Sequence, residues 1–313
     1  MLETPIRSLH HVTATVNDAQ EDLDFYTKVL GLRLVKKTVN FDNHDVYHFY
    51  YGNELGTPST IMTTFPYKGK GVPEGRKGAG QITATSLSVP GGALEFWRRR
   101  LAAHQIPITA EGVRFGEDFI AFDDPAGLDI ELIAGDRDRR APWTTDEIGP
   151  AVAIRGVAGI TMTIRSPQES LTLLTDVLGF ETVAQAGNRT RLAVNGDAPG
   201  KAVDILHAPE APSAKNGLGT VHHMALAVPT PEDQLQMRAE LLRLGFSVTQ
   251  VLDRQYFRSI YFREPGGVLF EIATVPPGFT VDEGPADLGR GLKLPPWEEP
   301  HRAAIEAALP RVS

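Results

Sequence analysis

The chain has 313 residues, of which 42% are hydrophobic and 22% are charged, and this length allows about two conventional domains with a large core. It contains no cysteine, which excludes disulfides, thiolate zinc sites and a cysteine nucleophile, so any metal site needs nitrogen and oxygen ligands. A net charge of -8 without a basic stripe argues against nucleic acid, and without a signal-peptide core or an apolar stretch near the roughly 20 residues that a bilayer requires, we expect a cytoplasmic protein that does not enter membranes.

Four similar units follow one another along the chain. Each opens with an alternating strand, continues through a helix and ends in strand-like segments. The units cover residues 8–66, 80–134, 155–208 and 219–274. Helices are predicted over 19–30, 92–104, 167–178 and 231–244, and a glycine in the left-handed conformation is expected after each helix.

Two internal matches support the repeat. Val29-Leu30-Gly31-Leu32 matches Val177-Leu178-Gly179-Phe180, and residues 122–131 match 262–271 with the same spacing. The pattern predicts an α+β fold of four βαβββ modules in tandem, which form two domains over 1–140 and 150–275, joined by a charged linker. A tail over 276–313 carries a short amphipathic helix and leaves open whether it covers the core or a partner subunit in a homo-oligomer.

Two of the four opening strands carry a histidine at the same place. Alignment of these strands sets His11 opposite Ala84, Gly159 and His223 in the later units. At the closing strands a carboxylate is present in the second and fourth units, as Glu131 and Glu271, whereas the corresponding stretch of the first unit lies near Thr60.

If a metal site is built from two units, one pairing of units provides a complete set of three ligands. Only the pairing of the first unit with the fourth supplies His11, His223 and Glu271 together. We therefore predict that modules 1 and 4 pair around a metal, that modules 2 and 3 pair with each other, and that Glu131 is a vestige. Two imidazoles and one carboxylate leave coordination positions open and are typical of non-heme Fe(II) oxygenases, with Mn(II) as an alternative in the same ligands.

Other polar residues receive simpler interpretations. Adjacent strand residues point to opposite faces, so one histidine of each doublet is expected to face away from the metal. His44 and His48 flank a strand of the first unit and have two interpretations, lining a cavity or lying at the surface, of which we favour the surface. Residues 98–100 are expected to form a solvated helix face. The glycine- and lysine-rich loop over 68–78 lacks the spacing of a phosphate-binding loop and is interpreted as a connection.

The chain resembles a known superfamily over nearly its whole length. The motifs that carry the resemblance are His10-His11-Val12-Thr13, the stretch Asp253-Arg254-Gln255-Tyr256-Phe257-Arg258-Ser259-Ile260-Tyr261-Phe262-Arg263, and the tail over 292–302. They resemble the vicinal oxygen chelate superfamily, and within it the dioxygenases that open hydroquinones. The resemblance implies a small aromatic substrate and O2, iron bound by His11, His223 and Glu271, and catalytic roles around the substrate for His10, Thr13, His222, Arg254 and Tyr261.

Three other functions stay open on the sequence. An extradiol dioxygenase would use the same ligands on a catechol. A glyoxalase-like isomerase or lyase would need no O2, and such enzymes generally have a fourth protein ligand, for which the first unit offers only hydroxyl groups. A protein that only binds an aromatic compound or drug would need no metal.

Overall fold

The opening strands of the four units lie at the centres of two sheets. The structure is a computed structural model that describes residues 5–313, and within that range sixteen strands form two eight-stranded sheets. The strands are β1 Ser8–Val16, β2 Arg33–Asn40, β3 Asn43–Gly52, β4 Ile61–Pro66, β5 Gln81–Val89, β6 Ile108–Arg114, β7 Glu117–Asp123, β8 Asp129–Ala134, β9 Gly156–Ile164, β10 Phe180–Ala186, β11 Arg189–Val194, β12 Ala202–His207, β13 Thr220–Val228, β14 Leu252–Asp253, β15 Arg258–Arg263 and β16 Leu269–Thr274.

The order of the strands confirms the predicted pairing of the modules. The first sheet runs β14-β15-β16-β13-β1-β4-β3-β2 and contains modules 4 and 1, and the second runs β10-β11-β12-β9-β5-β8-β7-β6 and contains modules 3 and 2. In each sheet two opening strands pair antiparallel, β1 with β13 and β5 with β9. An unpaired opening strand would expose a row of backbone donors and acceptors, and this pairing satisfies them. The α+β class expected from the sequence is confirmed.

Few helices accompany the sheets. They are α1 Ala19–Asp24, α2 Leu94–Ala103, α3 Gln168–Thr172, α4 Pro231–Arg243 and α5 Arg302–Ala308, and π-helical turns over Phe25–Val29 and Leu173–Val177 extend α1 and α3. Gly31, Gly179 and Gly245 follow the first, third and fourth helices with φ of 67°, 73° and 89°. The expectation of a glycine after every helix is wrong at α2, where Gln105 takes this conformation with φ of 59°.

Paired β-bulges interrupt both central ladders. In the ladder of β1 and β13 the register skips one residue on each strand, at His10 and at His222. The ladder of β5 and β9 has the same two irregularities, at Thr83 and Ala158. A bulge changes the direction of a side chain, and bulges are frequent next to active sites. The bulges belong to the module itself, and histidines occupy them in the first sheet alone.

The tail covers one edge of the first sheet. Leu292 forms a β-bridge with Lys37 on the edge strand β2. The neighbouring Lys36 has no exposed surface and forms ion pairs with Asp282 and Glu283 of the tail. Because the tail lies on the sheet of its own chain, it protects an edge strand that would otherwise expose unpaired backbone groups. Within the described residues no helix is long and apolar enough to cross a membrane.

Candidate metal centre

Three buried side chains converge where β1, β13 and β16 lie side by side. His11 and His223 each occupy the fourth position of their strands, and Glu271 lies on β16 opposite Ala225 of β13. His223 Nε2 lies 2.8 Å from Glu271 Oε2 and 3.4 Å from His11 Nε2, and His11 Nε2 lies 3.3 Å from Glu271 Oε2. Among the described residues, this is the one group of three that could hold a metal ion.

The spacing of these atoms fits a single divalent ion. Donor atoms at about 2.1 Å from a common metal and at right angles to one another lie about 3.0 Å apart. Glu271 Oε2 is buried and makes no well-aligned hydrogen bond within the described part of the chain, although two imidazole nitrogens lie close to it. A buried carboxylate oxygen needs a cation or a donor, so this arrangement favours a metal between the three atoms. The donor set of two nitrogens and one oxygen suits Fe(II) or Mn(II).

His11, His223 and Glu271 are called the triad from here on. In both triad histidines the second ring nitrogen, Nδ1, lies within hydrogen-bond distance of the histidine that precedes it in the chain. His10 Nδ1 lies 2.9 Å from His11 Nδ1, and His222 Nδ1 lies 2.7 Å from His223 Nδ1. When His11 binds a metal through Nε2, its Nδ1 carries the proton, so His10 Nδ1 accepts from His11 and His10 keeps its own proton on Nε2. An imidazole that is held in this way is prepared to bind a metal through Nε2.

The remaining oxygen of Glu271 is also held. Ser259 on β15 has no exposed surface and donates its hydroxyl to Glu271 Oε1. This bond fixes the carboxylate so that Oε2 faces the two imidazoles. No sequence pattern singled out Ser259, because its contact with Glu271 depends on the pairing of β15 with β16.

Burial sets the charges of the centre. Burial, reinforced by the neighbouring triad histidine, lowers the pKa of His10 and the pKa of His222 to about 3 in each case. Burial would raise the pKa of Glu271, but His11 and His223 hold that pKa well below its usual range. At neutral pH His10, His222 and His223 are therefore neutral beside an ionised carboxylate, and a metal binds to neutral imidazoles and ionised carboxylates.

A cavity of about 470 Å³ opens onto the triad. Of the residues that the resemblance placed around the substrate, His222, Arg254 and Tyr261 line this cavity. His10 lies behind His11 and borders a neighbouring cavity instead. Thr13 has no exposed surface and accepts a hydrogen bond of 2.8 Å from Thr63. The structure thus brings three of the five to the cavity and puts the other two behind its wall.

Arg254 contacts Tyr261 in the cavity wall and Asp42 at the mouth of the cavity. Its guanidinium donates to Tyr261 Oη at 3.3 Å and to both carboxylate oxygens of Asp42 at 3.2 and 2.9 Å. Burial opposes the charge, but Tyr261 and Asp42 raise the pKa of Arg254, so it stays protonated. Burial and the charge of Glu271 raise the pKa of Tyr261, which keeps its proton as well. The cavity therefore contains a fixed cation and a phenol donor close to the triad.

Part of the cavity wall follows the interpretation of the sequence that we did not favour. The expectation that His48 lies at the surface is wrong, since it is only 9% exposed and lines the cavity beside Tyr50, with ring centroids 4.0 Å apart. His44 is 52% exposed, as expected. The alternation of side chains along β3 indicates that His48 faces the cavity. Tyr47, Phe49 and Tyr51 belong to the main core, so His48 and Tyr50 lie on the other face of the strand.

The equivalent positions of the second sheet hold ion pairs. Glu131 receives both terminal nitrogens of Arg114, at 2.7 and 2.8 Å. Asp204 on β12 receives Arg189 at 3.2 Å and Arg191 at 2.7 Å. Guanidinium groups thus neutralise the buried carboxylates in this sheet, and the prediction that Glu131 has lost a metal role is consistent with this arrangement.

The register corrects one detail of the sequence alignment. Glu271 lies opposite the sixth residue of its opening strand, and Thr63 holds that position in the first module, three residues beyond Thr60. Asp204 holds it in the third module, a carboxylate that the alignment omitted. The choice of the triad is unaffected, because Ala84 and Gly159 provide no imidazole in the second sheet.

Comparison with known proteins connects this architecture to a family. The model of the Glyoxalase/Bleomycin resistance protein/Dioxygenase superfamily matches residues 8–132 and 156–272. MhqO of Bacillus subtilis (strain 168), provisionally named a ring-cleaving dioxygenase, is 45% identical over 301 residues, which cover 96% of this chain and 95% of the relative. Chlorohydroquinone/hydroquinone 1,2-dioxygenase of Sphingobium indicum is 37% identical over 309 residues, which cover 96% of this chain and 95% of that enzyme.

Solved structures show the same fold. A crystal structure of a provisionally named dioxygenase from Bacillus subtilis has a TM-score of 0.94 and 43% identity, and the match covers 99% of this chain and 98% of that one. Glyoxalase I from Zea mays has a TM-score of 0.62 at 14% identity, over 86% of this chain and 92% of that one. At that identity the likeness to the plant protein concerns the fold alone.

Proposed function

The chain belongs to the Glyoxalase/Bleomycin resistance protein/Dioxygenase superfamily, and we propose that it is a ring-cleaving dioxygenase that opens a hydroquinone-like aromatic with O2 at an Fe(II) ion held by His11, His223 and Glu271. The superfamily expected from the sequence is thereby confirmed. The observation that carries the proposal is the convergence of three buried donor atoms within 2.8–3.4 Å of one another at a cavity. The names of the relatives support the class of reaction.

The ligand set favours this chemistry over an isomerase. Three protein ligands leave positions for a substrate oxygen and O2, and when bound the metal would supply a site where both meet. A fourth ligand on β4 would have to come from the position of Thr63, whose hydroxyl already donates to Thr13. Mn(II) fits the same three donors. The chain's own residues then have to bind the ring, orient it and hold its charge.

Cavity residues provide those functions. Arg254 and Tyr261 are donors next to the triad, and we assign to them the stabilisation of negative charge on the oxygen of a bound phenol. His222 uses Nδ1 to hold His223, so its Nε2 faces the substrate as a donor. His10 holds His11 from behind and is assigned to its orientation, while Thr13 supports the adjacent strand. Tyr50, Phe65 and Phe257 provide an apolar wall for the ring.

The decisive experiment measures O2 uptake. The protein is loaded with Fe(II) under anaerobic conditions and offered hydroquinone and catechol side by side. We expect O2 consumption and a ring-opened product from hydroquinone, and loss of both iron and turnover in His11→Ala. Bound iron without O2 uptake from either diol would reject the proposal in favour of an isomerase. Uptake with catechol alone would make the protein an extradiol enzyme.

A further inference from the structure

His48 lies in the substrate cavity without an assigned function. It is buried on β3, and its ring packs against Tyr50 and Phe65 with centroids 4.0 and 4.3 Å apart. Its Nε2 lies 2.9 Å from Thr63 Oγ1. Aromatic rings on two sides and one hydrogen bond fix the orientation of the imidazole.

The hydrogen-bond chain determines which nitrogen of His48 carries the proton. The hydroxyl of Thr63 donates to Thr13 Oγ1 at 2.8 Å, so its single proton is committed. Thr63 must therefore accept from His48, and His48 donates through Nε2. Its Nδ1 then has a free lone pair, and within the described residues no hydrogen bond reaches that atom.

No other titratable side chain that lines the cavity in the described residues offers a comparable acceptor, and the amide oxygens of Asn40 and Asn216 already accept from Asp42 N and Gln81 Nε2. His222 has committed Nδ1 to His223, and if His223 binds a metal through Nε2, then the remaining nitrogen of His222 carries a proton. Asp42 lies at the mouth, is 70% exposed and has both oxygens bound by Arg254. The other nitrogen and oxygen groups close to the triad, on Arg254 and Tyr261, are donors at neutral pH.

The position of His48 in the sheet determines which end of a bound substrate lies near it. β4 lies between β1 and β3, so the strands that carry His11 and His48 are two strand spacings apart, about 10 Å. A para-diol has its second hydroxyl at the opposite end of the ring from the first, whereas a catechol has both on adjacent carbons. For a ring that is held by one oxygen at the triad and lies towards β3, only a para-diol has its second hydroxyl at that end.

We propose that His48 is the acceptor for the distal hydroxyl of the substrate and that it selects para-diols over catechols. His48 Nδ1 accepts a hydrogen bond from that hydroxyl, whose O–H bond stays intact, because burial holds the pKa of His48 well below its ordinary value and keeps the imidazole neutral. The ring becomes more electron-rich, which favours its reaction with O2. This inference rests on the proposed function and names the substrate geometry that the same site takes.

The test compares substrates and variants. His48→Phe keeps a ring between Tyr50 and Phe65 but removes the acceptor, and His48→Gln restores one. We expect His48→Phe to lower kcat/KM for hydroquinone about 100-fold and His48→Gln to lower it less. Activity towards 4-methoxyphenol, which has no distal proton, is expected to be low in the wild type and unchanged in His48→Phe. His44→Phe, an exposed histidine on the same strand, is the matched control and is expected to keep full activity.

A binding measurement separates this inference from the proposed function. In Zn(II)-loaded protein without O2, calorimetry should show that the wild type binds hydroquinone about tenfold more tightly than 4-methoxyphenol, and that His48→Phe loses this difference. A wild type that consumes no O2 but shows this pattern would reject the reaction and keep the role of His48. Normal O2 uptake with an equal affinity for both phenols would overturn the inference alone.

A spectroscopic readout needs no variant. In ¹⁵N-histidine-labelled, Zn(II)-loaded protein, His48 is expected as the neutral tautomer with the proton on Nε2, and its Nδ1 signal should move when hydroquinone is added and stay when 4-methoxyphenol is added. A proton on Nδ1 in the free protein would overturn the inference, even if His48→Phe fails to fold.

Discussion

At the scale of single residues, each donor atom of the centre is oriented by a partner that the chain places next to it. His10 and His222 hold the triad imidazoles through their Nδ1 atoms, and Ser259 holds Glu271. Sequence reasoning identified the triad because imidazole and carboxylate groups are chemically distinctive at matching strand positions. It favoured the surface for His48 and did not single out Ser259, because the contacts of both residues are made between strands and depend on the register.

The hydroxyl of Tyr261 can be tested separately from its ring. Tyr261→Phe keeps the ring packed against His223, where the centroids are 5.5 Å apart, but removes the group that accepts from Arg254 and faces the cavity. We expect kcat to fall about tenfold to 100-fold with iron content unchanged, because the hydroxyl would stabilise charge rather than bind the metal.

Steady-state O2 uptake together with metal analysis checks this prediction. Tyr47→Phe is the control, because Tyr47 stacks on Phe49 in the core and does not line the cavity. Loss of iron in Tyr261→Phe would contradict the assigned role and indicate that the hydroxyl supports the ligands.

At the scale of elements, all four modules share the same bulges and closing positions, and the side chains at those positions decide what each sheet does. The bulges hold His10 and His222 in the first sheet but Thr83 and Ala158 in the second. A metal would neutralise Glu271, whereas Arg114 neutralises Glu131. Both sheets thus contain a buried carboxylate that needs a cation. An arginine provides it in the second sheet, and a metal ion would provide it in the first.

Removal of Arg114 tests this equivalence. Arg114→Met leaves Glu131 buried without its cation, and we expect the free energy of unfolding to fall by about 3–5 kcal/mol, as for other broken buried ion pairs. The double variant Arg114→Met with Glu131→Gln should recover most of that loss, since no charge is left behind. Chemical denaturation measures both, and iron content should stay the same because the second sheet holds no part of the triad.

The matched control is an arginine in an exposed ion pair. Arg98 lies 2.9 Å from Glu111, with side chains 40% and 58% exposed, and Arg98→Met should change stability by about 1 kcal/mol or less. A similar effect for Arg98→Met and Arg114→Met would show that burial does not set the energy of the Arg114 pair.

At the scale of the whole molecule, the helical segment of one module meets a turn of the next and so links the two sheets. Tyr26 donates to Asp124 at 3.2 Å between modules 1 and 2, and Ser170 donates to Glu264 at 2.6 Å between modules 3 and 4. Asp22 lies on the adjacent turn of α1. The two carboxylates, Asp124 and Glu264, are at equivalent positions in the two halves of the chain, but their donors are not, since Ser170 corresponds to Asp22 and Tyr26 to Leu174.

Asp22 makes the stability of this junction depend on pH. Its Oδ2 accepts from Tyr51 at 2.7 Å and from Thr64 at 2.5 Å, but burial dominates and raises its pKa from 3.8 to about 8. Because the folded-state pKa lies above the unfolded value, Asp22 keeps its proton in the folded protein and releases it on unfolding. Its contribution to stability is therefore complete below about pH 4 and is lost as the pH rises towards 8.

We expect the free energy of unfolding to fall by about 1 kcal/mol between pH 7.5 and pH 9, a window in which the buried histidines are largely neutral in both the folded and the unfolded state. Denaturation at both pH values measures the loss. Asp22→Asn imitates the protonated acid and should flatten the dependence, whereas Asp146→Asn, at an exposed site, should leave it as in the wild type. An unchanged slope in Asp22→Asn would exclude Asp22 as its source.

The sequence by itself determined the repeat, the α+β class, the pairing of the modules and the set of three candidate ligands, because strand periodicity and chemically distinctive side chains are local properties of the chain. The division into 1–140, 150–275 and 276–313 stays a prediction, as do the roles assigned to the site residues. Only the tertiary structure decided that His10 stands behind His11, that His48 faces the cavity and that Arg114 neutralises Glu131. These facts depend on bulges and on register between strands distant in sequence, and a shift of one residue in register exchanges the two faces of a strand.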